Sequence, residues 1–196
     1  MSAGPLLDRR AAVARLLRDR GDLLVVTGLG SPTYDVAAAG DHERNFYLWG
    51  AMGGAALVGL GLALAQADTP VLVVTGDGEM LMGMGGLATI ALQRPGNLTI
   101  AVLDNGLYGE TGGQASHTAG ATDLVAVAKG CGIANARTLT GMAEVEAAAG
   151  ALHAGGDGPT FLCLRVAVSD APRVLPSRDG AMVAHRMRMA LGVAAL

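Results

Sequence analysis

One carboxylate, Asp77, stands between Gly76 and Gly78 where the apolar run PVLVVTG, residues 70–76, ends. Asp104 and Asn105 close the next apolar run, LTIAVLDN, residues 98–105. Glycine on both sides of Asp77 lets the backbone turn sharply and come close to a ligand. The amides of Gly78, Glu79 and Met80 then open a helix, and a helix N-terminus favours an anion such as phosphate. A carboxylate at that place repels phosphate unless a cation lies between them. Carboxylate, divalent metal and phosphate together reconcile the arrangement. Mg2+ suits it, because it takes hard oxygens, one or two from side chains, with phosphate and water completing the octahedron. Asn105 adds a neutral amide oxygen, and the loop after it a backbone carbonyl, with Leu107 the first choice. Taken singly, Gly76-Asp77-Gly78 also reads as a plain strand-to-helix turn, and Asp104-Asn105-Gly106 as a β-turn. The pair is more specific, since Asp77 and Asn105 are 28 positions apart, the length of one crossover.

Alternating elements must position these residues. Apolar strands are expected at 22–28, 70–76, 98–105 and 159–168, with a short one at 133–139. Helices are expected at 5–19, 51–66, 79–92 (closed by Pro95-Gly96), 122–132 and 141–155. Residues 31–45 and 106–120 read as polar loops, and 170–196 as a tail ending in a helix. Strands separated by helices imply right-handed crossovers. The fold class is therefore α/β, a doubly wound, mainly parallel sheet with helices on both faces. No repeat or linker divides the chain, so 1–196 reads as a single domain. Ligands bind such sheets beyond the carboxyl ends of the strands, where Asp77 and Asn105 both fall.

Composition excludes several classes. Hydrophobic residues make up 51% and charged residues 16%, too apolar for disorder. Net charge is −3 without a basic block, so nucleic acid is not an expected partner. Residues 49–67 form 19 positions without a charge. Five glycines and polar flanks make them a helix buried within an α/β protein, not a membrane span. The N-terminal segment alternates charge with leucine and reads as a surface helix, not a signal peptide. Cys131 and Cys163 lack a CxxC pattern and read as buried reduced thiols of a cytoplasmic protein.

The motif pair resembles the thiamine-diphosphate (ThDP) motif of ThDP-dependent enzymes. The likeness runs over residues 22–168. The stretch from Gly76 to Thr118 looks especially like the small ThDP-binding subunit of sulfopyruvate decarboxylase and its relative phosphonopyruvate decarboxylase. The resemblance implies the ThDP diphosphate-binding (PP) domain, with ThDP and Mg2+ as cofactors. Asp77, Asn105 and the Leu107 carbonyl would hold Mg2+. The amides of Gly78 and Glu79 would hold the diphosphate, helped by Gly30 and Ser31, with Gly76 and Tyr108 beside it. Met52 would wedge beneath the cofactor and bend it. The Gly50 carbonyl would accept a hydrogen bond from its 4′-amino group. On its residues alone, Met52 reads as core packing in a glycine-rich helix.

The implied reaction is decarboxylation of a small anionic 2-oxo acid, such as sulfopyruvate to sulfoacetaldehyde and carbon dioxide. Phosphonopyruvate decarboxylation, ThDP-dependent carboligation and an oxidative ThDP-dependent 2-oxo acid reaction are the alternatives. ThDP enzymes also need a glutamate on a pyrimidine-binding domain. Glu43, Glu79, Glu110, Glu144 and Glu146 stand in the wrong contexts to supply it. A separate pyrimidine-domain (alpha) subunit is therefore expected, in an α2β2 or larger assembly. In the loop after Asn105, His117 is the candidate for substrate binding or proton transfer. The same position also suits a plain solvent-exposed histidine. Gln114, Tyr108 and Thr118 are weaker substrate candidates. His42, His153 and His185 read as structural, and Arg186 and Arg188 as a solvated helix face. A nicotinamide dehydrogenase is disfavoured, because Gly28-x-Gly30 is followed by Ser31-Pro32-Thr33 and the third glycine is missing. A non-catalytic ThDP-fold scaffold is disfavoured by the intact Asp77 and Asn105.

Overall fold

The computed structural model describes residues 6–193. The expected helix start at residue 5 and the last three residues of the tail lie outside them. Six parallel strands form one sheet: β1 (Leu24–Thr27), β2 (Asn45–Tyr47), β3 (Val71–Gly76), β4 (Leu98–Asp104), β7 (Asn135–Leu139) and β8 (Thr160–Arg165), in the order β2-β1-β3-β4-β8-β7. Two-residue strands β5 (Leu107–Tyr108) and β6 (Gln114–Ala115) make a separate antiparallel hairpin. The central strands read as unbroken apolar runs because both faces are covered. Leu72 and Val74 pack on one side, while Val71 and Val73 pack on the other.

Helices α1 (Arg9–Leu17), α2 (Ser31–Ala38), α7 (Met142–Ala151) and α8 (Gly180–Ala190) contribute to the first core. Helices α3 (Ala55–Ala65), α4 (Asp77–Met82), α5 (Gly86–Gln93) and α6 (Leu124–Gly130) contribute to the second. The expected fold class holds, and the expected elements hold with shorter ends.

Four details differ from the sequence reading. Residues 31–45 are not one loop but carry α2 and the edge strand β2. Helix α2 has no apolar period because Thr33 and Asp35 are buried along with its apolar residues. The expected helix 79–92 is two helices, broken at Gly83. There the chain runs so close to the Gly53 carbonyl that no Cβ fits. Helix α3 is not buried all round, since Leu57, Val58 and Leu64 on its outer side are exposed. Among the described residues no helix is long and apolar enough to cross a membrane. Finally, Arg186 is not on a solvated face: it binds the Asp41 carboxylate at 2.7 Å and the Asn45 carbonyl at 3.3 Å, tying α8 to the β2 edge.

Candidate functional site

The chain leaves β1 for α2 on one face of the sheet and leaves β3 for α4 on the other. This divergence opens a crevice at the carboxyl ends of β1 and β3, the place where doubly wound sheets bind ligands. A pocket lies there. Its walls include Ser31, Met52, Gly76, Asp77, Gly78, Glu79, Asn105, Leu107 and Tyr108. Nine of the residues singled out from sequence thus meet in one place. Gly30, Gly50 and His117 are not among its walls. Gly30, at φ 80°, caps the start of α2 next to Ser31.

Asp77 is the most buried charged residue on the pocket wall. It is 2% exposed. Its Oδ2 takes a short hydrogen bond from the Ser116 hydroxyl and lies 3.0 Å from Thr118 Oγ1. Among the described residues it has no ion-pair partner. Burial pushes its carboxyl above the usual carboxylate range, against the pull of the two hydroxyls, and the nearby Asp104 charge adds to the rise. A buried carboxylate without a cation is costly. A divalent ion in the pocket would remove that cost.

Asn105 follows β4 in an Asx turn, with its Oδ1 accepting the Leu107 amide at 2.9 Å. The turn folds Leu107 and Tyr108 back beside α4. The Tyr108 ring then lies against Gly78, where an added Cβ would sit 2.7 Å from Cδ1. The second glycine of the motif therefore makes room for this ring. Gly76 differs: an added Cβ there would meet only Pro32 Cγ, at 3.9 Å, and both residues line the pocket. The Tyr108 hydroxyl is 2.7 Å from His117 Nδ1 at the exposed rim.

The Glu79 side chain turns inward. Its carboxylate accepts Thr75 Oγ1 at 2.9 Å and the Gly53 amide at 3.3 Å, with further backbone bonds at Ala55 and Leu29. Glu79 thereby ties the β1 loop, β3 and the start of α3 together. Burial raises its pKa. Met52 lies before α3, not in it, and is 38% exposed on the pocket wall. The core-packing reading of Met52 is thus excluded.

Two residues of the site, Arg9 and Ser116, escaped sequence reasoning. Arg9 is buried, lines the pocket, and shares the Asp35 carboxylate with Arg10. Ser116 was not singled out, and Thr118 is not a substrate-facing side chain but a buried partner of Asp77 and Asp104. Glu110 is exposed at the rim, lines the pocket and lies against Gly30. Gln114 is exposed and accepts the Thr111 hydroxyl at 3.3 Å. Cys163 is buried, and burial raises its thiol pKa, whereas Cys131 is only half-buried.

Comparison with known proteins bears on this geometry. Residues 30–163 match the family described as thiamine pyrophosphate enzyme, C-terminal TPP binding domain. The chain belongs to this family. A phosphonopyruvate decarboxylase of Streptomyces viridochromogenes is 42% identical over 187 residues, covering 92% of this chain and 45% of that protein. A sulfopyruvate decarboxylase subunit beta of Methanothermobacter thermautotrophicus is 45% identical over 127 residues, covering 65% of this chain and 68% of that one. The chain thus spans less than half of the first relative. The crystal structure of benzoylformate decarboxylase from Polynucleobacter necessarius shares the fold, with a TM-score of 0.72, 19% identity, and coverage of 85% of this chain and 34% of that one.

The pocket fits the family's cofactor on its own chemistry. Asp77 is a buried carboxylate with no ion-pair partner among the described residues, Asn105 and Leu107 stand on one tight turn of the same wall, and Gly76 leaves open space beside them.

Proposed function

We propose that this chain is the PP domain, across residues 1–196, of a ThDP- and Mg2+-dependent 2-oxo acid decarboxylase. Its substrate is a 3-substituted pyruvate such as sulfopyruvate, released as sulfoacetaldehyde and carbon dioxide. The observation that carries this reading is Asp77, buried on the wall shared with Asn105 and Leu107 and without an ion-pair partner among the described residues. The named activities of the relatives support the substrate class, since sulfopyruvate and phosphonopyruvate both carry an anionic group on C3.

In this reading Asp77, the Asn105 amide oxygen and the Leu107 carbonyl hold Mg2+. The Gly78 and Glu79 amides, with Gly30 and Ser31 across the crevice, hold the diphosphate, and Gly76 leaves it room. Arg9 and Arg10 share one carboxylate, which leaves positive charge beside an anionic ligand. Met52 would support the cofactor's ring system, and the Gly50 carbonyl would accept a hydrogen bond from its amino group. The bound cofactor supplies the electron sink for loss of carbon dioxide. The Tyr108–His117 pair at the rim binds the substrate's anionic end or moves a proton at His117.

The glutamate that activates the cofactor comes from a separate pyrimidine-domain subunit, in an α2β2 or larger assembly. Four of the glutamates here are committed elsewhere or face solvent. Glu79 is bonded to Thr75, Glu144 caps α7, Glu146 pairs with Arg15, and Glu43 is exposed. Glu110 lies against Gly30, on the side assigned to the diphosphate. The two free thiols suit a reducing cytoplasm.

The test reconstitutes the chain with a pyrimidine-domain subunit, ThDP and Mg2+, then assays sulfopyruvate, phosphonopyruvate and pyruvate. The reading expects carbon dioxide release from one of the two anionic substrates in preference to pyruvate. Release from pyruvate alone, or from none, contradicts it.

A further inference from the structure

Two hydroxyls flank His117 in the chain, and both point away from it into the protein. Ser116 is 4% exposed and Thr118 6%. The Ser116 hydroxyl donates to Asp77 Oδ2. Thr118 Oγ1 lies 2.7 Å from Asp104 Oδ1, 3.0 Å from Asp77 Oδ2 and 2.8 Å from Ser116 Oγ. A hydroxyl has one hydrogen to give. The Ser116 hydrogen goes to Asp77, and the Thr118 hydrogen is shared between Asp104 Oδ1 and Asp77 Oδ2, within reach of both. Both hydroxyl contacts to Asp77 fall on Oδ2, so among the described residues Oδ1 carries no side-chain hydrogen bond.

Asp104 is itself held. Its Oδ2 accepts Arg165 Nη1 at 2.5 Å across the β4–β8 register, and its Oδ1 accepts the Gly106 amide at 3.1 Å. The Arg165 carbonyl accepts the Leu7 amide at 3.0 Å, which fixes the strand end. The Ser116 amide donates to the Gly106 carbonyl at 2.8 Å, closing the loop at its base. A continuous set of bonds thus runs from Arg165 through Asp104 and Thr118 to Asp77.

We propose that Ser116 and Thr118 are positioning residues for the metal ligand Asp77. They fix one carboxylate oxygen, and so turn the other to the pocket. The Asp104–Arg165 pair orients Thr118 from beneath. The same two bonds clip the loop that carries Tyr108 and His117 onto the metal site. Outer partners of ligating carboxylates set ligand orientation, and their loss typically lowers metal affinity about 10–100-fold. This inference rests on the metal role proposed for Asp77.

The test is a titration of the full chain with Mn2+ in the presence of ThDP, read by electron paramagnetic resonance of the free ion. Thermal unfolding without metal is recorded in parallel. We expect Ser116→Ala and Thr118→Val each to weaken Mn2+ binding by about tenfold or more. Thr118→Ser keeps the hydroxyl and is expected to restore binding to near the parent value. Arg165→Met, which leaves every group touching Asp77 in place, is expected to weaken Mn2+ binding less than Thr118→Val does. Should Thr118→Val fail to fold, Ser116→Ala and Thr118→Ser decide the matter. Parent-like Mn2+ affinity in folded Ser116→Ala, or Thr118→Ser as weak as the other variants, overturns the inference while leaving the metal role of Asp77 intact. No Mn2+ binding by the parent chain with ThDP overturns both.

Discussion

Asp35 and Asp77 are both fully buried carboxylates near the carboxyl end of the sheet, yet the chain treats them oppositely. Asp35, 0% exposed on α2, is held by the guanidinium groups of Arg9 and Arg10. Asp77, 2% exposed at the start of α4, takes its side-chain hydrogen bonds from two hydroxyls and has no ion-pair partner among the described residues. The first is complete within the chain and joins α1 to α2. In the proposed reading, the second is completed by a cation from outside. Natural proteins leave such a charge uncompensated at functional sites, at a cost to the empty fold. Burial alone does not distinguish a structural carboxylate from a ligand, whereas the partners do.

The comparison can be broken by unfolding experiments on the metal-free chain. Asp35→Ala leaves the buried Arg9 without its anion and is expected to cost about 3–5 kcal/mol. Asp77→Asn removes an uncompensated charge and is expected to leave stability no lower than in the parent. Urea denaturation measures both, and equal losses would erase the distinction between the two sites.

Gly78→Ala sharpens the second site. A Cβ there meets the Tyr108 ring, and such overpacking costs about 1–3 kcal/mol. Tyr108→Ala in the same chain is expected to relieve most of that cost, so a double-mutant cycle reads the contact directly. At the Asp35 site, Arg10→Met is expected to cost no more than about 1 kcal/mol, because Arg10 is only partly buried and Arg9 still holds the carboxylate. His117→Ala is the smallest change, within about 0.5 kcal/mol, since the ring is exposed at the rim.

Much of the second site was legible in the sequence. Asp77 and Asn105 end apolar strands one crossover apart, so their meeting follows from the topology of a parallel sheet. Met52 was legible only through family likeness, because an apolar residue in a glycine-rich stretch reads as core. The first site was hidden. Asp35 and Thr33 are buried polar residues on a short helix, and they erase the apolar period that would have revealed α2. Ser116 and Thr118 were hidden for another reason. They lie in a polar loop, 39 and 41 positions from Asp77, and small hydroxyl residues in such loops carry no periodic signal. The break at Gly83 follows from contact with Gly53 in another element, which a local reading of α4 and α5 does not contain.

The central claim is that Asp77 is a ligand waiting for a metal. Calorimetric titration of ThDP into the chain tests it most directly, with Mg2+ present or with a chelator in its place, for the parent and for Asp77→Asn. The account predicts binding by the parent with Mg2+ only, and none by Asp77→Asn under either condition. Binding that is indifferent to Mg2+, or equal in parent and variant, would contradict it.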